Sequence, residues 1–223
     1  ETGPDAIDCD DLVRYPLVLF PVSLLGGPIV KEKSNIALIG FRASGKSLVG
    51  RLLARELNLS FVDMDERLVA TFGKSIDQWV RSEGWGPFRN AESELLEQLA
   101  QQQGLVVATG GGVIVNTRNR HLLKEHFLVI WLKASPETTY ERMLSDPNTR
   151  ASRPAFTALP LQDEIQHIMK ERTPLYRETA HLILETEDVL PAQLVAIIQG
   201  RIAPDKARHD QSSSSSPGPG RMT

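Results

Sequence analysis

The chain has 223 residues, enough for one globular domain with tails. Apolar residues make up 41% and charged residues 24%, so a packed core is expected, and a net charge of −3 argues against a general nucleic-acid binder, which is normally basic. The sole cysteine, Cys9, has no partner for an internal disulfide, and no run approaches the roughly 18 apolar residues of a membrane span.

Residues 1–33 are punctuated by proline and glycine around an apolar centre, Leu17-Val18-Leu19-Phe20, that reads as a short packed strand. The stretch from Tyr15 to Val30 is interrupted by Pro16, Pro21 and Pro28 and follows Asp5, Asp8, Asp10 and Asp11, the reverse of the basic start of a signal peptide. No membrane partner is expected, and the lone cysteine suits a reducing, cytoplasmic compartment. A plastid stays open if a transit peptide was removed upstream. The domain itself spans residues 34–202. Beyond it, residues 203–223 are polar and end in a serine run and Pro-Gly repeats, a composition expected to be disordered.

Within the domain, short apolar runs predict strands at 36–39, 59–62, 105–108, 127–132 and 182–184. Helical periodicity predicts helices at 46–57, 88–102, 117–125, 136–144, 161–179 and 191–202. Unbroken apolar strands alternating with helices indicate a parallel sheet covered on both faces. Ligands of such sheets sit beyond the carboxyl ends of the strands.

The first such end carries Gly40-Phe41-Arg42-Ala43-Ser44-Gly45-Lys46-Ser47, a match to G-x-x-x-x-G-K-[ST] between a strand and an amphipathic helix. Its glycines let successive backbone N–H groups turn around phosphates at a helix N-terminus. Lys46 would neutralise phosphate charge and the Ser47 hydroxyl would ligate Mg²⁺. Leu48 is expected to face inward with Leu52, Leu53 and Leu57, and Ala43 to need only a backbone that is not left-handed.

Asp63 and Asp65 follow the second strand. One reading sends both carboxylates toward the phosphate edge, one to Mg²⁺ water ligands and one to an acceptor hydroxyl. The other makes one of them a helix cap. Arg89 reads as lying in the first turn of a helix, where a cation opposes the dipole unless it meets an anion; an ordinary exposed arginine is the alternative. Gly110-Gly111-Gly112 follows a buried strand and would let a small ligand approach the backbone, or serve as a flexible turn. Arg153 lies in a long polar segment that reads as a lid, and Arg172 stands beside Pro174, expected to kink its helix. Both also fit a solvated surface.

Taken in order, the phosphate loop, Asp63-x-Asp65, Phe88-Arg89-x-x-Glu92, the glycine run, Arg153-Pro154 and Arg172-x-Pro174-Leu175-Tyr176 resemble the shikimate kinase family over roughly Asn35 to Ile202. The resemblance implies a three-layer α/β/α P-loop kinase with a five-stranded parallel sheet, a helical substrate region and a lid at about 146–158. It implies ATP and shikimate as substrates, Mg²⁺ as cofactor, and a monomer with no nucleic-acid or membrane partner. Nucleotide contacts would run along Ala43, Ser44, Gly45, Lys46, Ser47 and Leu48, joined by Arg153 from the lid. Shikimate would meet Asp65, Arg89, Gly111, Gly112 and Arg172, with Ser47 and Asp63 near the metal. Lys46, Asp65 and Arg153 are the implied catalytic residues. Two departures stand out: family P-loops often read Gly-x-Gly-Lys-Ser-Thr, and the lid commonly reads Arg-Pro-Leu-Leu where this chain has Arg153-Pro154-Ala155-Phe156. A gluconate or nucleotide kinase, and an inactive kinase-like binding protein, are the rival readings.

Overall fold

A computed structural model describes residues 35–145 and 159–202. The N-terminal extension, the lid segment with Arg153 and the C-terminal tail lie outside the described residues. Strand β1 (Asn35–Ile39) is buried along its whole length, and its side chains alternate between two cores. Ile36 and Leu38 enter one, Ala37 and Ile39 the other, as the two-residue period of a strand requires. It is the middle strand of five. With β2 (Ser60–Asp63), β3 (Leu105–Ala108), β4 (Phe127–Lys133) and β5 (Leu182–Glu185) it forms an all-parallel sheet in the order β2-β3-β1-β4-β5. Each strand lies within one residue of the range read from the sequence.

Helix α1 (Lys46–Leu57) covers one face through Val49, Leu53 and Ala54. On the other face lie α2 (Met64–Phe72), α3 (Ile76–Glu83), α4 (Trp85–Ala100) and α5 (Thr117–His126). Helix α6 (Pro136–Ser145) packs on α7 (Leu161–Thr179) through a small core of Phe41, Met143, Ile165 and Ile168. Helix α8 (Pro191–Ile202) joins α1 through Leu194, Val195 and Ile198. Among the described residues no helix is long and apolar enough to cross a membrane.

Several sequence expectations are corrected. Leu48 does not face inward: it is 54% exposed, because α1 buries Val49, Gly50, Leu53 and Ala54 instead. Helices α2 and α3 are additional to the six that were expected. Helix α4 begins three residues earlier than read, since Pro87 falls in its first turn, where its missing N–H costs nothing. Arg89 therefore sits in the second turn, and the argument from a misplaced first-turn cation does not hold.

Close approach of α1 to β2 depends on Gly50. A Cβ there would stand 2.5 Å from Phe61 Cε2 and 3.3 Å from Leu38 Cδ1. Gly200, in α8, has nothing within 4 Å of the same position. Gly50→Val should destabilise the fold by about 1–3 kcal/mol through overpacking. Gly200→Ala should stabilise it by up to about 1 kcal/mol through a less flexible unfolded chain. Urea unfolding of the two variants checks the pair; equal midpoints would show that the α1–β2 contact is slack.

Candidate active site

The turn after β1 has its shape set by what surrounds it. Gly40 has φ 148°, and a Cβ on it would collide with the Leu132 carbonyl oxygen. Gly45, at φ 87°, caps α1. Between them Ala43 is left-handed, φ 55°, against the expectation of an ordinary backbone there. The Ser44 hydroxyl donates to the Phe41 carbonyl at 2.9 Å. Lys46 Nζ donates to that same carbonyl at 2.6 Å and lies 3.3 Å from Ser44 Oγ. Arg142, from the last turn of α6, bonds the Ala43 carbonyl at 3.4 Å and the Thr186 carbonyl at 2.7 Å. It thereby ties the phosphate loop to the segment after β5.

Beside this turn, Asp63 ends β2 and does two jobs at once. Its Oδ1 accepts from the Asp65 and Glu66 N–H groups as the N-cap of α2, and its Oδ2 accepts from the Ser47 hydroxyl at 2.5 Å. The capping and site readings of this residue are thus compatible. Asp65 does not share that direction: it stands in the first turn of α2 with Oδ1 against Gly110, 3.2 Å from where a Cβ would be.

The glycine run follows β3, whose Ala108 pairs with both Leu38 and Asp63. A Cβ on Gly110 would overlap the Glu92 carboxylate, and one on Gly112 would overlap the Arg89 guanidinium. At Gly111 it would lie 3.4 Å from the Gly40 carbonyl oxygen, so this turn rests on the phosphate loop. The Gly111 carbonyl accepts from Tyr176 Oη at 2.5 Å and Arg172 Nη1 at 3.2 Å. The Arg172 guanidinium also lies over the Phe41 ring, 5.9 Å from its centre. Arg89 pairs with Glu92 at 2.6 Å and lies over the Trp85 ring at 5.0 Å.

Electrostatics follow from burial. Glu92 is 1% exposed, and desolvation raises its pKa despite Arg89 and Arg172, which pull it down. Desolvation likewise lowers that of Arg172, although an arginine starts so high that its charge persists. The Tyr176 phenol is pushed up to about 12 by burial and stays protonated.

Asp65, Arg89, Gly111, Gly112 and Arg172 are therefore brought together around one turn, next to the phosphate loop with Lys46, Ser47 and Asp63. Arg153 lies outside the described residues. Glu92 and Tyr176 belonged to the motifs but not to the expected site, and Arg142 gave no sequence signal at all: it reads as an ordinary basic residue near a helix end.

A left-handed alanine costs about 1–2 kcal/mol, and its methyl packs on the Phe41 core, worth up to about 0.8 kcal/mol. Ala43→Gly should therefore raise Tm by about 1–4 °C. Calorimetry decides the sign; a lower Tm would mean that the methyl contact outweighs the strain.

Comparison with known proteins gives the same order of parts a name. The shikimate kinase family model matches residues 42–203. The shikimate kinase of Ralstonia nicotianae is 36% identical over 165 residues, 74% of this chain and 85% of the relative. Shikimate kinase 2 of Enterobacter sp. is 39% identical over 163 residues, 73% of this chain and 92% of the relative. The structure of shikimate kinase from Acinetobacter baumannii in complex with shikimate superposes with a TM-score of 0.70 at 34% identity, over 75% of this chain and 92% of that one. This chain belongs to the shikimate kinase family of ATP-dependent kinases.

Proposed function

We propose that the chain transfers the γ-phosphoryl group of ATP to the 3-hydroxyl of shikimate, giving ADP and shikimate 3-phosphate. One observation carries this reading beyond family membership. Two guanidinium groups, Arg89 and Arg172, and the Asp65 carboxylate all meet the glycine turn, and that turn touches the phosphate loop. Such a site suits a small acceptor with a carboxylate at one end and a hydroxyl at the other.

In this reading Arg89 and Arg172 bind the acceptor carboxylate by forked hydrogen bonds that a lysine cannot reproduce. Their orientation is preset by Glu92 and by the Gly111 carbonyl respectively. Asp65 orients the hydroxyl and accepts its proton as the oxygen bonds to γ-phosphorus and the bond to the β-phosphate oxygen breaks. Backbone N–H groups of Ala43 to Leu48 surround the phosphates, and Lys46 offsets their charge. The positive charge faces where negative charge gathers, which is the main contribution a protein can make to this chemistry.

Ser47 and Asp63 fit Mg²⁺. They present a hydroxyl and a carboxylate oxygen 2.5 Å apart, hard donors of the kind that bind this ion together with phosphate and water. An ion held there with the nucleotide would supply positive charge against the phosphate oxygens. We also read the chain as a cytoplasmic monomer acting on small molecules, with neither nucleic acid nor membrane as partner; the single cysteine supports a reducing compartment.

Purified protein with ATP and Mg²⁺ should turn over shikimate and leave gluconate and nucleoside monophosphates largely unreacted. Asp65→Asn should lower kcat by about 10²-fold or more while ATP binding holds. Asp63→Asn should raise the Mg²⁺ concentration needed for half-maximal rate while keeping the cap, since asparagine caps as well as aspartate; Asp63→Ala should also cost about 1 kcal/mol of stability through the lost cap. Wild-type kcat in Asp65→Asn would sink the acceptor assignment.

A further inference from the structure

The glycine turn has no side chains with which to anchor, and each glycine is conformationally permissive. Backbone bonds hold two of its carbonyls: Gly110 accepts from the Val113 N–H at 3.1 Å and Gly112 from the Val115 N–H at 3.0 Å. The Gly111 carbonyl, between them, is fixed from outside the turn. It receives Arg172 Nη1 and Tyr176 Oη, residues four apart on α7 and therefore on one face of that helix. A carbonyl oxygen has two lone pairs and accommodates both donors.

Of the two donors, tyrosine is the more firmly seated. Tyr176 is 2% exposed, and its ring stacks on Trp131 with centres 5.4 Å apart and planes inclined by 21°. Trp131 lies in β4 and pairs in register with Ile39, the last residue before the phosphate loop. The hydroxyl is thus located by the sheet, whereas a guanidinium at the end of a long side chain must also answer to a ligand. The phenol remains a proton donor throughout the working pH range, since burial pushes it up to about 12.

A trans peptide is planar, with its C=O and the following N–H pointing in opposite directions. Holding the Gly111 carbonyl toward α7 therefore turns the Gly112 N–H away from α7. The geometry points to Tyr176 as a positioning residue of the acceptor site. Through the Gly111 carbonyl its hydroxyl sets the orientation of the Gly111–Gly112 peptide, and with it the place where Arg172 rests. This inference depends on the acceptor reading above for its kinetic consequence, but not for its structural one.

Tyr176→Phe removes the hydroxyl and keeps the stacked ring. Losing one buried hydrogen bond that orients the site should raise KM for shikimate about tenfold. KM for ATP and kcat should stay within about twofold, because the hydroxyl bonds the Gly111 carbonyl and not the groups that hold the phosphates. A group that only filled the core would change Tm and leave both KM values alone, and that result overturns the proposal. So does a parallel rise in both KM values with a fall in kcat, the signature of general loosening. If Tyr176→Phe does not fold, Trp131→Phe, which weakens the stack while keeping the hydroxyl, should give a smaller but equally selective rise; no rise counts against the proposal.

A second readout needs no turnover. The amide nitrogen following a carbonyl responds to hydrogen bonds at that carbonyl, so the ¹⁵N shift of Gly112 should move in Tyr176→Phe while that of Gly45 stays. A stationary Gly112 resonance overturns the positioning role. Absent shikimate turnover in the wild-type protein would instead remove the acceptor reading, with the Gly112 shift still deciding the role of Tyr176.

Discussion

Everything at the acceptor end depends on the absence of three Cβ atoms beyond β3. A methyl at Gly110 would occupy the place of the Glu92 carboxylate, and one at Gly112 that of the Arg89 guanidinium. Gly111 lies against the backbone of Gly40 and Arg42. Three elements, α4, α7 and the phosphate loop, therefore converge on one spot because nothing projects from it. Gly50 lets one helix approach one strand; these three create a common contact for otherwise separate parts of the fold. The floor of the site is bare backbone, held by its own turn bonds and, at the Gly111 carbonyl, by side chains that reach in from α7.

Those side chains are positioned by the protein before any ligand arrives. Arg89 has Glu92, Arg172 has the Gly111 carbonyl and Asp63 has the first N–H groups of α2. Such arrangements cost stability where charge is buried, as the opposed pKa directions of Glu92 and Arg172 record. In the reading proposed above, the return is that two cations converge on one place without needing to reorganise when an anion enters. A surface arginine would bind as strong an acid group only after losing its conformational freedom.

The sheet was legible because its strands are buried on both faces, which leaves unbroken apolar runs such as Leu105-Val106-Val107-Ala108. The phosphate loop was legible because its chemistry requires fixed residues at fixed spacing. Helix α3 was missed although Ser75 and Gln78 form a capping box, since only eight residues carry its periodicity. The start of α4 was read three residues late, at Phe88, although a proline such as Pro87 is well tolerated in a first turn. The glycine run was read as room for a ligand, whereas two of its members first make room for Glu92 and Arg89. That distinction lies in tertiary packing, which no local pattern encodes. Arg142 is the clearest case: its three partners come from residues 43 and 186, far from it in sequence.

The phosphate loop shows how such distant contacts relax the demands on local sequence. A left-handed residue between Gly40 and Gly45 would ordinarily be glycine, yet Ala43 occupies the place. Its carbonyl is held by Arg142 and it packs against the cluster of Phe41, Met143, Ile165 and Ile168, so the surroundings impose a conformation that the residue itself disfavours. Helix α7 reaches both halves of the site: Ile165 and Ile168 pack with Phe41 of the phosphate loop, while Arg172 and Tyr176 hold the Gly111 carbonyl. The Arg172 guanidinium lies over the Phe41 ring as well, so a change at Arg172 would be felt on both sides. The two halves meet where Gly111 rests on Gly40 and are braced together by that one helix.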